Sequence, residues 1–304
     1  MMRLRCHHGR VTADPVRDLA PVSGLARGAG ADLYFERRGR GPALLLIAGG
    51  GGDCGYYDAL ASCLADEFTV ISYDRRGNSR SPLHGEPAPI VLAEQSEDAL
   101  AVLDENQLST AMVFGNSGGA TVALDLAAHH PGRLAAVVAH EPPVPAVLPD
   151  AAGYLAFFDD LDELARTDGW QAAFTRFQSV IGGIGPLVIR ALLDPARYMP
   201  PVPARGVMLR VAGNWEYMIT YEVRSFIDYQ PALEMIRASA TPIAFGRGTS
   251  SADPAMVRMS EVCAAQLGAE CVVFPGGHTG PMERPGPFAG TLRALLGRLS
   301  EPAS

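Results

Sequence analysis

Residues 113–120 read Val113-Phe114-Gly115-Asn116-Ser117-Gly118-Gly119-Ala120, a serine flanked by glycines between an apolar run and a helical segment. The run before it, 111–114 (AMVF), is apolar without alternation. Strands covered by helices on both faces have that composition. The segment after it, 118–130, is rich in Ala, Val and Leu and reads as a helix. Passing from strand to helix within so few residues strains the central residue, and the two backbones can cross only where the flanking positions lack side chains. Such a turn lifts the Ser117 hydroxyl above the sheet at a helix N-terminus, where the dipole favours developing negative charge. The G-x-S-x-G pattern is a weak signal by itself, since a glycine-rich turn with Ser117 as an ordinary N-cap reads the same way. Its setting between strand and helix gives it weight.

The same alternation extends in both directions. Residues 31–37 (ADLYFER) alternate as a half-buried strand does, and 43–48, 69–73, 134–139, 242–245 and 271–274 are short continuous apolar runs. Helical patterns fall between them at 57–66, 91–104, 255–266 and 288–299. Strands alternating with helices imply right-handed crossovers and an α/β architecture with a mostly parallel, doubly wound sheet. The rhythm stops between 142 and 240. Residues 154–177 and 216–236 look helical there, with Pro200, Pro201 and Pro203 between them. A structureless loop of that length is rare, so the stretch is expected to be a helical lid inserted over the strand ends. The expected organisation is a flexible leader at 1–25, a core from 26–141 and 240–304, and a lid at 142–239.

Composition narrows the function classes. The 304 residues are 48% apolar, enough for a core without disulfides or metals. The net charge of −8 disfavours a nucleic-acid partner. Five scattered cysteines (Cys6, Cys54, Cys63, Cys263, Cys271) lack a C-x-x-C pair, so reduced thiols in a cytoplasm are expected, with no metal. No apolar run approaches the ~20 residues that span a bilayer, and the N-terminal residues lack the apolar core of a secretory signal. A small-molecule substrate, no cofactor, no membrane, and a monomer or homodimer are the expectations.

A nucleophilic serine needs a base, an acid and donors for an oxyanion. His278 lies in Pro275-Gly276-Gly277-His278-Thr279-Gly280, a glycine loop after the last strand that lets the imidazole swing to the serine. His7 and His8 are in the leader, His84 is in a proline-containing loop, His129 and His130 end a helix, and His140 ends a strand. Two carboxylates compete as acid. Glu141, in His140-Glu141-Pro142-Pro143, sits at the carboxyl edge of the strand beside the nucleophile's; it is preferred. Asp253 is the alternative, and it also reads as a helix N-cap. The Gly118 amide is one oxyanion donor, and the loop Gly49-Gly50-Gly51-Gly52 offers a second. That loop is a poor phosphate cradle, because no Lys-Ser/Thr pair follows and Asp53, Cys54 and Tyr56 occupy the helix entry.

With these pieces the chain resembles the α/β-hydrolase superfamily: the Gly49–Gly52 loop, the turn Asp74-Arg75-Arg76-Gly77-Asn78-Ser79 (similar to D-x-R-G-x-G-x-S, with Asp74 and Arg76 structural), the Gly115–Gly119 elbow and Gly277-His278. Relatives usually carry His-Gly where this chain has Ala48-Gly49, an alignment that implies Gly50 as the second oxyanion donor. Most relatives place the acid Asp after the seventh strand, where this chain has Thr249 and Ser250. A Glu after the sixth strand resembles the zearalenone lactonases, in which a lid Trp packs on the substrate; Trp215 is the implied counterpart. The resemblance implies hydrolysis of a carboxylic ester or lactone through an acyl-enzyme. The lid aromatics suggest an apolar, ring-containing substrate, contacted by Gly51, Cys54, Phe157, Trp215, Tyr217 and Tyr221. Haloalkane dehalogenases and epoxide hydrolases share the scaffold but use a carboxylate nucleophile, which Ser117 replaces. A thioesterase, a perhydrolase or a C–C bond hydrolase would use the same triad, and a silent binding protein would keep the fold alone.

Overall fold

The computed structural model describes residues 20–181 and 204–301. Eight strands form one sheet: β1 (Val22–Gly28), β2 (Ala31–Gly39), β3 (Ala43–Ile47), β4 (Thr69–Tyr73), β5 (Ala111–Asn116), β6 (Leu134–His140), β7 (Ile243–Gly248) and β8 (Glu270–Phe274). Their order is β1-β2-β4-β3-β5-β6-β7-β8. The β1–β2 and β2–β4 pairs are antiparallel and the remaining pairs parallel. Every strand expected from its apolar run is present. The additional one, β1, has no such run because it is the sheet's outer edge: Val22 and Leu25 are exposed. It starts at Val22, so the last four residues assigned to a flexible leader are paired with β2 instead. Residues 1–19 of that leader lie outside the described residues.

From Ala136 onward in β6, and along β3, β4, β5 and β7, the apolar runs divide by parity. Leu44, Leu46, Val70, Phe114, Val138 and Ala244 face one core with α1 (Asp58–Leu64) and α10 (Pro285–Ser300). Leu45, Ile47, Ile71, Val113, Val137 and Phe245 face the other, against α2 (Leu92–Glu105), α3 (Gly118–His129) and α9 (Pro254–Leu267). The inner strands β3 to β7 therefore bury both faces, as an alternating strand could not.

Between β6 and β7 the chain forms α4 (Ala152–Thr167), α5 (Trp170–Ile181), α6 (Ala204–Tyr217), a π-helical turn at Met218–Glu222, α7 (Val223–Asp228) and α8 (Leu233–Ser239). The stretch expected as one helix at 154–177 is two, broken at Gly169, whose φ of +89° a helix interior does not accommodate. Phe158, Leu161, Phe174, Trp215, Met218 and Ile219 give α4 to α7 a core of their own. The last helix, α8, packs on α3 and α9. It is thus the crossover that returns the chain to β7, and the lid part of the insertion ends before it. No helix among the described residues is long and apolar enough to cross a membrane.

Candidate active site

The strand order reverses between β3 and β5: the chain builds outward on one side of the sheet, then on the other. In open α/β sheets the crevice outside the carboxyl ends at such a point is where ligands bind. The loop after β3 carries Gly49–Gly52 and the turn after β5 carries Ser117. Ser117 has φ 56° and ψ −128°, and its side chain makes no capping bond to α3, so it is not an ordinary N-cap. Its amide donates to the His140 carbonyl at 2.9 Å. The flanking glycines are required by close approach. A Cβ on Gly115 would lie 2.2 Å from the Gly119 carbonyl oxygen, and one on Gly119 would lie 2.0 Å from that of Ile47.

Glu141 follows β6 immediately, again with a positive φ (49°), and is fully buried. Its Oε2 lies 2.7 Å from His278 Nδ1. Its Oε1 accepts from the Gly248 amide at 2.7 Å and from the Ser251 hydroxyl. The loop after β7 thus supplies donors to a carboxylate that follows the neighbouring strand. Burial raises the Glu141 carboxyl, but the bond to His278, the imidazole charges and the Gly248 amide outweigh it and push the group down to about 2. Asp253 is placed otherwise: Oδ1 caps α9 through the Ala255 amide at 2.8 Å, and Oδ2 accepts from Tyr154 at 3.2 Å.

Asn116 ties the elbow to the histidine loop. Its Nδ2 donates to the His278 carbonyl at 3.2 Å and lies 3.0 Å from His140 Nδ1. His140 sits among the rings of Phe114, Phe274 and Phe288. Burial there pushes its imidazole down to about 4, a residue packed in its neutral form.

Ser117 and His278 line one cavity, with Gly49, Gly50, Trp215 and Met218. A second space meets the first at Gly50, Ser117, Phe177 and Met218 and is walled by Gly118, Phe158, Phe226, Ile227 and Met256. Neither the Gly50 nor the Gly118 amide donates to another backbone group among the described residues. Gly50 lines both spaces and Gly118 the second.

Of the residues expected to contact substrate, Trp215 lines the cavity, and the other five are placed elsewhere. The Gly51 carbonyl accepts from Asn214 at 2.6 Å, fastening the loop to α6. Cys54 is buried, with its amide on Asp74 and its sulfur 3.2 Å from Arg80; burial, and then the Asp74 charge, push its thiol up, so it is an inert group. Asp53, Cys54 and Asp74 lie close enough together to suggest a metal, but Arg80 and Arg210 bind those carboxylates. Tyr217 stacks with Tyr221 away from the cavity, ring centroids 5.3 Å apart. Successive helical positions are rotated by about 100°, so Trp215 and Met218 share a face that Tyr217 does not. The same rotation buries Phe158 and leaves Phe157 under the Arg176 guanidinium.

Three site features had no signature in the sequence: Gln178 in the cavity wall, Met218 between the two spaces, and the buried pair Arg75–Glu222. Arg75 Nε and Nη2 donate to the Ala48 and Gly49 carbonyls at 2.9 and 3.0 Å, while Nη1 and Nη2 bind Glu222 at 2.7 and 2.8 Å. One guanidinium thereby joins the glycine loop to the π-helical turn of the lid.

A switch-point crevice, a strained serine elbow and a histidine held by a buried carboxylate define an α/β-fold hydrolase. The chain belongs to that family: the α/β hydrolase fold model matches residues 42–285. It is 31% identical over 265 residues to "Uncharacterized hydrolase YraK" of Bacillus subtilis (strain 168), covering 85% of this chain and 90% of that one. Among solved structures it is similar to the enol-lactonase from Burkholderia xenovorans LB400, with a TM-score of 0.66, 21% identity, and 90% of this chain and 100% of that one covered. A hydrolase from Pseudomonas aeruginosa PA01 aligns with a TM-score of 0.61 at 26% identity, over 92% of this chain and 100% of that one. The protein is a hydrolytic enzyme.

Proposed function

We propose that the protein cleaves a carboxylic ester or lactone of an apolar small molecule, cyclic ones included, through an acyl-enzyme on Ser117. The observation that carries this reading is the His278 imidazole, which lines a cavity with Ser117 while its Nδ1 is held 2.7 Å from Glu141. With Nδ1 committed to Glu141, Nε2 is the atom that takes the serine proton. Oγ then bonds to the carbonyl carbon, and the Gly50 and Gly118 amides stabilise the alkoxide. One such donor is worth about 3 kcal/mol in the transition state. His278 returns the proton to the leaving oxygen, and Glu141 stabilises the imidazolium without taking a proton itself. Its low carboxyl pKa suits that role. Water, deprotonated by His278, releases the acid. Relatives named as hydrolases and an enol-lactonase of the same fold are consistent with this chemistry. The Glu after the sixth strand supports the mechanism more than any particular substrate.

The test is a panel of p-nitrophenyl esters, lactones and acyl thioesters compared by kcat/KM. Turnover of esters and lactones, abolished in Ser117→Ala, is the expected result. Turnover of thioesters alone would overturn the assignment.

A further inference from the structure

Two buried polar atoms in the wall of the Ser117–His278 cavity have no hydrogen-bond partner among the described residues: Gln178 Oε1 and Trp215 Nε1. Both side chains are more than nine-tenths buried. They come from different helices, α5 and α6, and Trp215 is fixed by stacking on Phe174 at 4.6 Å. Unpaired polar groups cost stability and are rare in folded proteins, so two in one cavity call for a partner that the described residues do not supply. The second space differs: apart from Gly50, Ser117 and Gly118 its wall is made of apolar and aromatic side chains, and the Tyr154 hydroxyl there is already bound to Asp253.

The two spaces also have distinct chemical positions. When the acyl C–O bond breaks, the departing alkoxide takes its proton from His278, so the leaving alcohol lies on the side that His278 lines. The acyl group, its carbonyl oxygen on the Gly50 and Gly118 amides, lies in the space that Gly118 lines. We infer that the enzyme prefers esters whose acyl part is apolar and whose alcohol carries, away from the scissile bond, an uncharged group that both donates and accepts hydrogen bonds. A carboxamide, urea or carbamate N–C=O unit fits that description, with Gln178 and Trp215 as its recognition pair. A formal charge is disfavoured, because the described residues of that wall include no Asp, Glu, Lys or Arg and neither Gln178 nor Trp215 can neutralise an ion. This inference rests on Ser117 and His278 acting as nucleophile and base.

The experiment compares three esters of one short-chain acid: 4-carbamoylbenzyl, the isosteric 4-isopropylbenzyl, and 4-carboxybenzyl. Benzyl alcohols keep the leaving-group basicity nearly constant. The carbamoyl ester should exceed the isopropyl ester in kcat/KM by about 10- to 100-fold, the scale expected when a buried donor and acceptor are left unpaired. The carboxy ester should be the poorest of the three. In Gln178→Leu and in Trp215→Phe the carbamoyl-to-isopropyl ratio should fall toward one; Gln178→Met replaces the first variant if it does not fold. Fluorophosphonate uptake at Ser117 is measured alongside. If Ser117 is labelled and the ratio is near one, or is retained in both variants, or neither neutral ester is turned over, the recognition pair is wrong and the nucleophile assignment stands. If Ser117 is not labelled, the reading beneath the inference fails with it.

Discussion

Ser117 and Glu141 are two of the five non-glycine residues with positive φ among the described residues. Such conformations cost about 1–3 kcal/mol each and persist where the surroundings enforce them, commonly at functional sites. The strain is a local correlate of the roles proposed for both. Replacing Glu141 by Ala should lower kcat by roughly 10⁴-fold, as triad losses do. Asp253→Ala should leave kcat nearly unchanged while removing about 1 kcal/mol of stability through loss of the α9 cap. Steady-state kinetics and urea melts of the two variants check both halves; the reverse pattern would transfer the acid to Asp253. His140 gives a pH signature. Its folded-state pKa of about 4 lies below its value in an unfolded chain, so the unfolded state binds more protons between those two values. Stability should be full above about pH 6.5, fall as pH drops from there to about 4, and then level off for this group, a loss on the order of 3 kcal/mol. Urea melts across that range measure it, and His140→Gln should flatten the slope. At this scale the placing of Ser117, Glu141 and His278 beside one another was readable because each closely follows an apolar strand. Gln178 and Met218 were not, because which residue of a lid helix turns inward depends on what packs against it.

Among the elements, the elbow has the least freedom. Gly119→Ala would place a carbon 2.0 Å from the Ile47 carbonyl oxygen, and a backbone atom cannot yield as a flexible side chain does. A destabilisation of about 3 kcal/mol or more is expected, read as lost soluble expression or a lowered melting temperature. The lid and core are joined by Arg75 and Glu222, both side chains fully buried. Removing one partner of such a pair leaves an uncompensated buried charge, so Glu222→Ala should cost about 3–5 kcal/mol in denaturant melts. Nothing near Arg75 in sequence announces this pairing, since its partner is 147 positions away. The core helices and strands were legible because their periodicities are local. The mostly exposed edge strand β1 and the division of the lid into α4 to α7 were not, because a short break at Gly169 or a π-helical turn leaves little trace in a hydrophobic pattern.

For the molecule as a whole, the sheet brings distant segments to one crevice: Glu141 and His278 are 137 positions apart in the chain and share a hydrogen bond. The strand reversal at β3 and β5 puts the glycine loop beside the serine elbow, and Phe158, Gln178, Trp215 and Met218 wall the spaces there. The architecture was readable from alternation of strands and helices, whereas the shape of the cavity is a product of packing between helices that no sequence interval records. The most direct measurement is intact-protein and peptide mass spectrometry after exposure to a fluorophosphonate, on the wild type and on Ser117→Ala and His278→Ala. A single adduct mapped to Ser117, lost in the first variant and strongly slowed in the second, is the expected outcome. A folded wild type that takes up no reagent, or takes it up at another residue, would contradict the account.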